Sequence, residues 1–407
     1  MSHDARRRNL VWGVTWLAYA SYYLGRKGFS AAKHRIKEAG LMDTQLLGVV
    51  DTAYLAAYAL GQFGSGALGD RIGARRLVGF GLLASAALCA ACGSVAAALP
   101  FLLFFALNGA AQATGWPGTM RAMSEWTTPA NRGTVMGLWS TCYQVGPFVA
   151  GPVLGLLIHR YDDWRPAFFA PAFVMVPVAL LVLALVRSGP EPARKVTPSE
   201  PEDLVSARRL ARRAVLRSRT LWCYGACYFF IKFTRYTLAF WLPFYLSESL
   251  GYSDALANGV ASAFEGGGVV GVIAIGALSD RRGLGRVPLS AAALLGLALA
   301  LFASAHLVGT STWLNGALFA LVGALLFAPD SIVCGAAAQD AGGRHAAAMS
   351  TGFVNGVGSV GALVEGLTVP LLAKHYGWSS LFPGLVVMAV LGAACLLPVL
   401  REPAPAT

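Results

Sequence analysis

Long apolar runs, repeated from one end of the chain to the other, constrain this sequence more than any other feature. Runs of about 20 apolar residues are long enough to cross a bilayer as helices. Twelve are legible, at 10–36, 44–66, 76–97, 99–123, 133–158, 164–187, 219–247, 255–279, 286–307, 312–336, 344–372 and 377–400. Hydrocarbon offers the backbone no hydrogen-bond partners, so such runs must be helical and bundled. Only 13% of residues are charged, against roughly a quarter in soluble domains, which argues against a soluble enzyme. The expected fold is an all-α membrane protein of twelve transmembrane helices.

The net charge of +12 would by itself fit a nucleic-acid partner, but its placement points elsewhere. With the N-terminus in the cytoplasm, the inside holds Arg6–Arg8, Arg71, Arg75, Arg76, Arg121, Arg132, Arg281, Arg282, Arg286, Arg344 and Arg401. It also holds a central loop carrying Arg187, Arg194, Lys195, Arg208, Arg209, Arg212, Arg213, Arg217 and Arg219. The outside keeps Lys33, Arg35, Lys37, Arg160, Arg165 and Lys374. This asymmetry predicts both termini inside and accounts for the basic composition without nucleic acid. The central loop divides the chain into an N-terminal bundle (1–188), a cytoplasmic linker (189–218) and a C-terminal bundle (219–407). The linker's basic stretch from Glu202 to Arg217 is suited to anionic headgroups, with regulatory docking as the alternative.

The seven cysteines lie in apolar stretches, and Cys89-Ala-Ala-Cys92 has neither a second pair nor a nearby His. They read as packing residues. No metal or cofactor site, nucleotide loop or nucleophile elbow is evident, and Arg6-Arg7-Arg8 leads into an apolar segment without a signal-peptide cleavage site.

The two halves repeat. Gly66-Ala-Leu-Gly-Asp70-Arg71-Ile-Gly73-Ala-Arg-Arg76 returns as Gly276-Ala-Leu-Ser-Asp280-Arg281-Arg-Gly283-Leu-Gly-Arg286, between the second and third run of each half. Arg26 and Arg235, Gly109 and Gly323, Pro117 and Pro329, and Arg132 and Arg344 follow at similar offsets. Parallel six-span repeats mark one major transporter architecture. The doubled motif resembles the signature loop of the major facilitator superfamily. That resemblance implies two six-helix pseudo-repeats and a cytoplasmic gate in which Asp70, Arg71, Asp280 and Arg281 form charged clamps; simple topology-setting by the cations is the plainer reading.

Charge inside a span marks a functional site by default. Arg26 lies 16 residues past Leu10 and Arg235 lies 16 past Arg219, so each is about 24 Å along its helix. A pseudo-two-fold axis would bring them across a central cavity, where two guanidiniums suit bidentate capture of a phosphate. Lys27 and Lys33 fit snorkelling toward the outer interface instead. Lys232, three residues before Arg235, shares its face. It is a second candidate ligand contact, or else the partner of a buried acid. Asp51, Glu265 and Glu365 are the intramembrane acids expected to neutralise these cations, touch ligand hydroxyls or carry protons.

Tyr22-Tyr23-Leu-Gly-Arg26-Lys27-Gly-Phe29 resembles the first span of the organophosphate:phosphate antiporter family. Asn108-Gly109-x-x-Gln112-x-x-Gly115-Trp116-Pro117, Trp241-Leu-Pro243-x-Tyr245 and Pro329-Asp330 extend the likeness. Met349-Ser350-Thr351 and Asn355-Gly356-x-Gly358-Ser359-x-Gly361 are most similar to its eukaryotic sugar-phosphate exchangers. The resemblance implies exchange of an organic phosphate, such as a sugar phosphate or glycerol-3-phosphate, for inorganic phosphate by alternating access. It places the phosphate on Arg26 and Arg235. Gln62 and Tyr143 stand where the glycerol-3-phosphate branch has Lys and His, so the motifs do not fix the organic ligand. Tyr22, Tyr23, Tyr143, Gln144, Tyr236 and Gln112 are candidate hydrogen-bond donors to phosphate or hydroxyls.

Two other readings compete. Gly151-Pro152-x-x-Gly155 resembles the motif of proton-coupled drug exporters, but a lipophilic-cation exporter has no use for paired arginines. A sugar-phosphate sensor of the same fold would share the site. The Ala-, Gly- and Arg-rich composition points to a bacterial inner membrane, and one chain holds a complete site, which fits a monomer.

Overall fold

The computed structural model describes residues 3–127, 132–187, 215–279 and 285–400. Every regular element among them is helical: α1 (His3–Glu38), α2 (Thr44–Ile72), α3 (Ala74–Ser94), α4 (Ala98–Gln112), α5 (Gly115–Trp126), α6 (Arg132–Trp139), α7 (Cys142–Tyr161), α8 (Pro166–Leu185), α9 (Arg219–Leu250), α10 (Asp254–Ser279), α11 (Arg286–Leu307), α12 (Thr312–Ser331), α13 (Ala338–Tyr376) and α14 (Leu381–Leu396). A π-helical segment, Ile332–Ala337, joins α12 to α13. Local chemistry sets the boundaries. Asp43 caps α2 by accepting from the Leu46 amide at 2.8 Å. Gly73, at φ 81°, ends α2 and opens α3 in one tight turn that other residues resist.

Nine helical stretches among the described residues are long and apolar enough to cross a membrane: Ala74–Ser94, Ala98–Trp126, Cys142–Tyr161, Pro166–Leu185, Asp254–Ser279, Arg286–Leu307, Thr312–Gly342, Met349–Tyr376 and Trp378–Val399. Large apolar side chains such as Leu60, Leu156, Phe173 and Leu299 are exposed, as lipid contact requires and water would penalise. The expected runs 10–36, 44–66 and 219–247 fall on α1, α2 and α9. These helices are long enough to span but stand outside that apolar set. They are also the helices that carry Arg26, Lys33, Asp51, Lys232 and Arg235.

The helices gather into two compact units. The first holds α1–α8 together with Leu242–Ser262. In it α1 packs on α7 and α8, α2 on α4, and α3 on α8 and α4. Leu242–Ser262 is tied in by charge: Asp254 Oδ2 accepts from Arg35 Nε at 2.6 Å, and Glu248 pairs with Lys37. The second unit holds the remainder of α9 and α10 with α11–α14. There α11 packs between α12 and α14.

Small residues let the helices close. A Cβ on Gly109 (α4) would sit 2.3 Å from the Tyr54 carbonyl oxygen of α2, and one on Gly323 (α12) 1.9 Å from the Phe264 carbonyl oxygen of α10. Gly109 and Gly323 are repeat partners, and Tyr54 and Phe264 are separated by the same 210 residues as the doubled motif. Each unit therefore reproduces the same helix crossing. Gly267 and Gly268, in the glycine run after Glu265, pack against Ala320 and Phe327, a helix-packing role typical of membrane bundles.

Candidate functional site

In the first unit the site is built around Arg26. Its Nε donates to Tyr54 Oη at 3.0 Å, and its Cζ lies 4.7 Å from the Tyr23 ring centroid and 4.8 Å from that of Tyr58. The two rings offer their negative faces to the cation. Among the described residues no carboxylate pairs with Arg26, and its two terminal nitrogens have no hydrogen-bond partner. Behind Tyr54 runs a buried relay: Tyr54 Oη donates to Gln112 Oε1 at 2.8 Å, Gln112 Nε2 to Ser85 Oγ at 3.4 Å, and Ser85 Oγ to Asn108 Oδ1 at 2.6 Å. The relay joins α2, α3 and α4 and fixes the tyrosine that aims Arg26.

Several expected contacts take other places. Gln112 is 1% exposed and positions Arg26 through Tyr54. Tyr22, one turn before Arg26 on α1, is buried, and its hydroxyl shares a hydrogen bond with Thr114 Oγ1 at 3.1 Å rather than with Arg26. Tyr143 joins an aromatic wall in which Tyr23 leads through Tyr19 (5.9 Å) to Trp116 (5.6 Å) and on to Tyr143 (6.1 Å). Gln144 is buried on α7. Tyr54 and Tyr58, which contact Arg26, are not among the residues that the sequence motifs mark. Their spacing of four from one another on a membrane helix was the available signal.

Lys33 does not snorkel. Its side chain is fully buried and pairs with Asp51, also buried, across α1 and α2. Buried together with Asp51, Lys33 meets its neutralising charge inside the bundle instead of reaching the interface. Asp51 is therefore engaged two turns away from Arg26 rather than on it.

In the second unit Lys232, Arg235 and Tyr236 lie on α9. Arg235 Nη1 donates to Asp330 Oδ2 at 3.2 Å, and its Cζ stands 4.5 Å from the Phe327 ring centroid. Asp330, an acid beyond the expected Asp51, Glu265 and Glu365, thus meets Arg235. In the sequence Asp330 stands out only within the Pro329-Asp330 motif, although an acid inside an apolar run is itself the signal. Lys232 Nζ donates to Asn355 Oδ1 at 2.8 Å and Ser359 Oγ at 2.9 Å on α13. Tyr236 packs edge-on against Phe240. Glu265 on α10 and Glu365 on α13 are both buried.

At the α2–α3 turn, Arg121 of α5 donates to the Gly69 carbonyl at 2.9 Å, which also accepts from the Gly73 amide. Arg71 is exposed. The Asp70 side chain, and Asp280 and Arg281 of the second copy, lie outside the described residues.

The profile of the Major Facilitator Superfamily matches residues 15–364. This chain belongs to the Major Facilitator Superfamily. Sugar phosphate exchanger 3 of Mus musculus is 30% identical over 88% of this chain and 81% of its own, which places the chain in the organophosphate:phosphate antiporter family. Membrane sensor protein UhpC of Salmonella typhimurium is 27% identical over 99% of this chain and 94% of its own. Among solved structures, a bacterial homolog of the human lysosomal transporter Spinster superposes with a TM-score of 0.78 at 15% identity, covering 98% of this chain and 95% of that one. As a member of this superfamily the chain is a multi-pass membrane protein with an all-helical fold.

Proposed function

We propose that this protein is a secondary transporter that exchanges an organic phosphate, of the sugar-phosphate or glycerol-3-phosphate type, for inorganic phosphate. The observation that carries the reading is the pair of intramembrane arginines at repeat-matched positions, Arg26 on α1 and Arg235 on α9, each presented by an aromatic ring face. The relatives support it, since their names refer to sugar phosphates or to exchange of them. Each half contributes one guanidinium, and phosphate is the ligand that two such forks recognise. Lys232 adds positive charge, and the wall from Tyr23 to Tyr143 offers ring faces to the organic moiety.

The architecture we propose has twelve spans with both termini in the cytoplasm, bundles 1–188 and 219–407, the linker 189–218 and a bacterial inner-membrane location. It works as a monomer by rocking of the bundles, with the Asp70–Arg71 and Asp280–Arg281 motifs closing the cytoplasmic side. A sensor is the second reading, favoured by the match to UhpC over nearly the full chain. In reconstituted proteoliposomes, labelled phosphate uptake competed by hexose phosphates, triose phosphates and glycerol-3-phosphate ranks the organic ligand. Saturable sugar-phosphate binding without any uptake would replace the transporter by the sensor.

A further inference from the structure

The two arginines are held by different chemistry, and Asp330 makes the difference. Arg26 is caged by neutral tyrosines, with its terminal nitrogens unoccupied among the described residues. Arg235 carries a carboxylate on Nη1 at 3.2 Å. That carboxylate is poorly secured. Among the described residues only Oδ2 meets the guanidinium, while Oδ1 is buried with no hydrogen-bond partner. The paired, two-oxygen geometry that makes such contacts strong is not used. The backbone beneath it is also irregular. Asp330 follows Pro329, which lacks the amide that would extend the ladder, and precedes the π-helical Ile332–Ala337. Single π turns inside helices mark places where function is placed at the expense of regularity.

We propose that Asp330 is a built-in competitor for the ligand's phosphate: it holds Arg235 while the site is empty and yields it when phosphate arrives. This rests on the reading that Arg235 takes the phosphate. A carboxylate and a phosphate present the same pattern of anionic oxygens to a guanidinium, so one can replace the other without rebuilding the site. The phosphate brings more charge and a further oxygen, so it wins the exchange. Arg26, with no carboxylate on it among the described residues, takes an anion directly, whereas Arg235 takes one by trading partners. The return of Asp330 then helps the phosphate leave, so the residue lowers affinity and speeds release. Because the carboxylate neutralises Arg235, the empty carrier leaves uncompensated charge mainly on Arg26.

The test is equilibrium binding of inorganic phosphate to the purified full chain, measured by titration calorimetry for the wild type, Asp330→Asn, Asp330→Glu, Arg235→Gln and the double variant Arg235→Gln/Asp330→Asn. The proposal expects Asp330→Asn to bind phosphate about tenfold more tightly and to exchange it more slowly in proteoliposomes. It expects Asp330→Glu to stay near the wild type, and the Asn substitution to change nothing once Arg235 is Gln. Asp330→Thr serves as the second neutral variant if Asp330→Asn does not fold. Unchanged or weaker phosphate binding in a neutral variant with the wild-type melting temperature overturns the proposal. So does weakened organic-phosphate binding with inorganic phosphate unaffected, since Asp330 would then touch the ligand itself. A wild-type protein that neither binds nor exchanges phosphate would instead sink the transporter reading, and this proposal with it.

Discussion

Arg26 is aimed by a hydroxyl whose own donor is committed to Gln112. Tyr54→Phe removes that hydroxyl, leaves Nε without its acceptor and releases the guanidinium from one rotamer. A hydrogen bond to a charged group contributes about 1.5–3 kcal/mol, so kcat/KM for exchange should fall roughly tenfold or more, while Tyr22→Phe, whose hydroxyl meets Thr114 and not Arg26, should leave it near the wild type. Transport kinetics on the two variants decide between them. Lys33 and Asp51 make a second residue-scale case. Removing one partner of a buried ion pair costs about 3–5 kcal/mol, while replacing both with apolar residues is often tolerated. Asp51→Asn should therefore lower the melting temperature sharply, and Lys33→Met/Asp51→Leu should recover most of the loss; thermal unfolding in detergent reads both. The sequence singled out Arg26, Arg235 and Lys232 because charge in an apolar run is conspicuous. It did not pair them with their partners, since Tyr54, Phe327, Asn355 and Asp330 come from other helices and side-chain pairing depends on helix rotation that periodicity in uniformly apolar runs does not reveal.

Helix crossings in this chain rest on repeated glycine contacts. Adding a Cβ at Gly323 would drive it into the Phe264 carbonyl at 1.9 Å, backbone that cannot swing aside. Gly323→Ala should therefore separate α10 from α12 and lower the melting temperature, as Gly109→Ala should for α2 and α4. Gly13→Ala, in α1 with open space around it, should be neutral or slightly stabilising because alanine is the better helix former. The three melting curves form one internal comparison. At this scale part was legible beforehand: the sequence marked Gly109 and Gly323 as matching repeat positions, and each stands at the same helix crossing of its unit. The interruptions were not. The break between α4 and α5 at Ala113–Thr114, that between α6 and α7 at Ser140–Thr141, and the π segment after Pro329 leave no trace in a hydropathy pattern, because an apolar run reads the same whether its i→i−4 ladder is continuous or shifted by a residue.

For the whole molecule, charge decides which states are accessible. An empty carrier that closes around Arg26 buries a guanidinium that, among the described residues, is faced by tyrosines and by no carboxylate, and burying a charge without a counter-charge in a low-dielectric interior costs several kcal/mol. Bound phosphate removes that cost, so the loaded carrier crosses between states and the empty one does not. Exchange rather than net uptake follows. The charge of Arg26 also draws anions toward it, an attraction that rising salt weakens, so the apparent KM for phosphate should increase with ionic strength in a proteoliposome assay at fixed pH. The most direct test of the account is labelled phosphate uptake into proteoliposomes loaded with or without unlabelled phosphate, for the wild type, Arg26→Lys and Arg235→Lys. The account predicts uptake only with phosphate inside, lost in both variants. Equal uptake into empty and loaded vesicles, or full exchange by either variant, would contradict it.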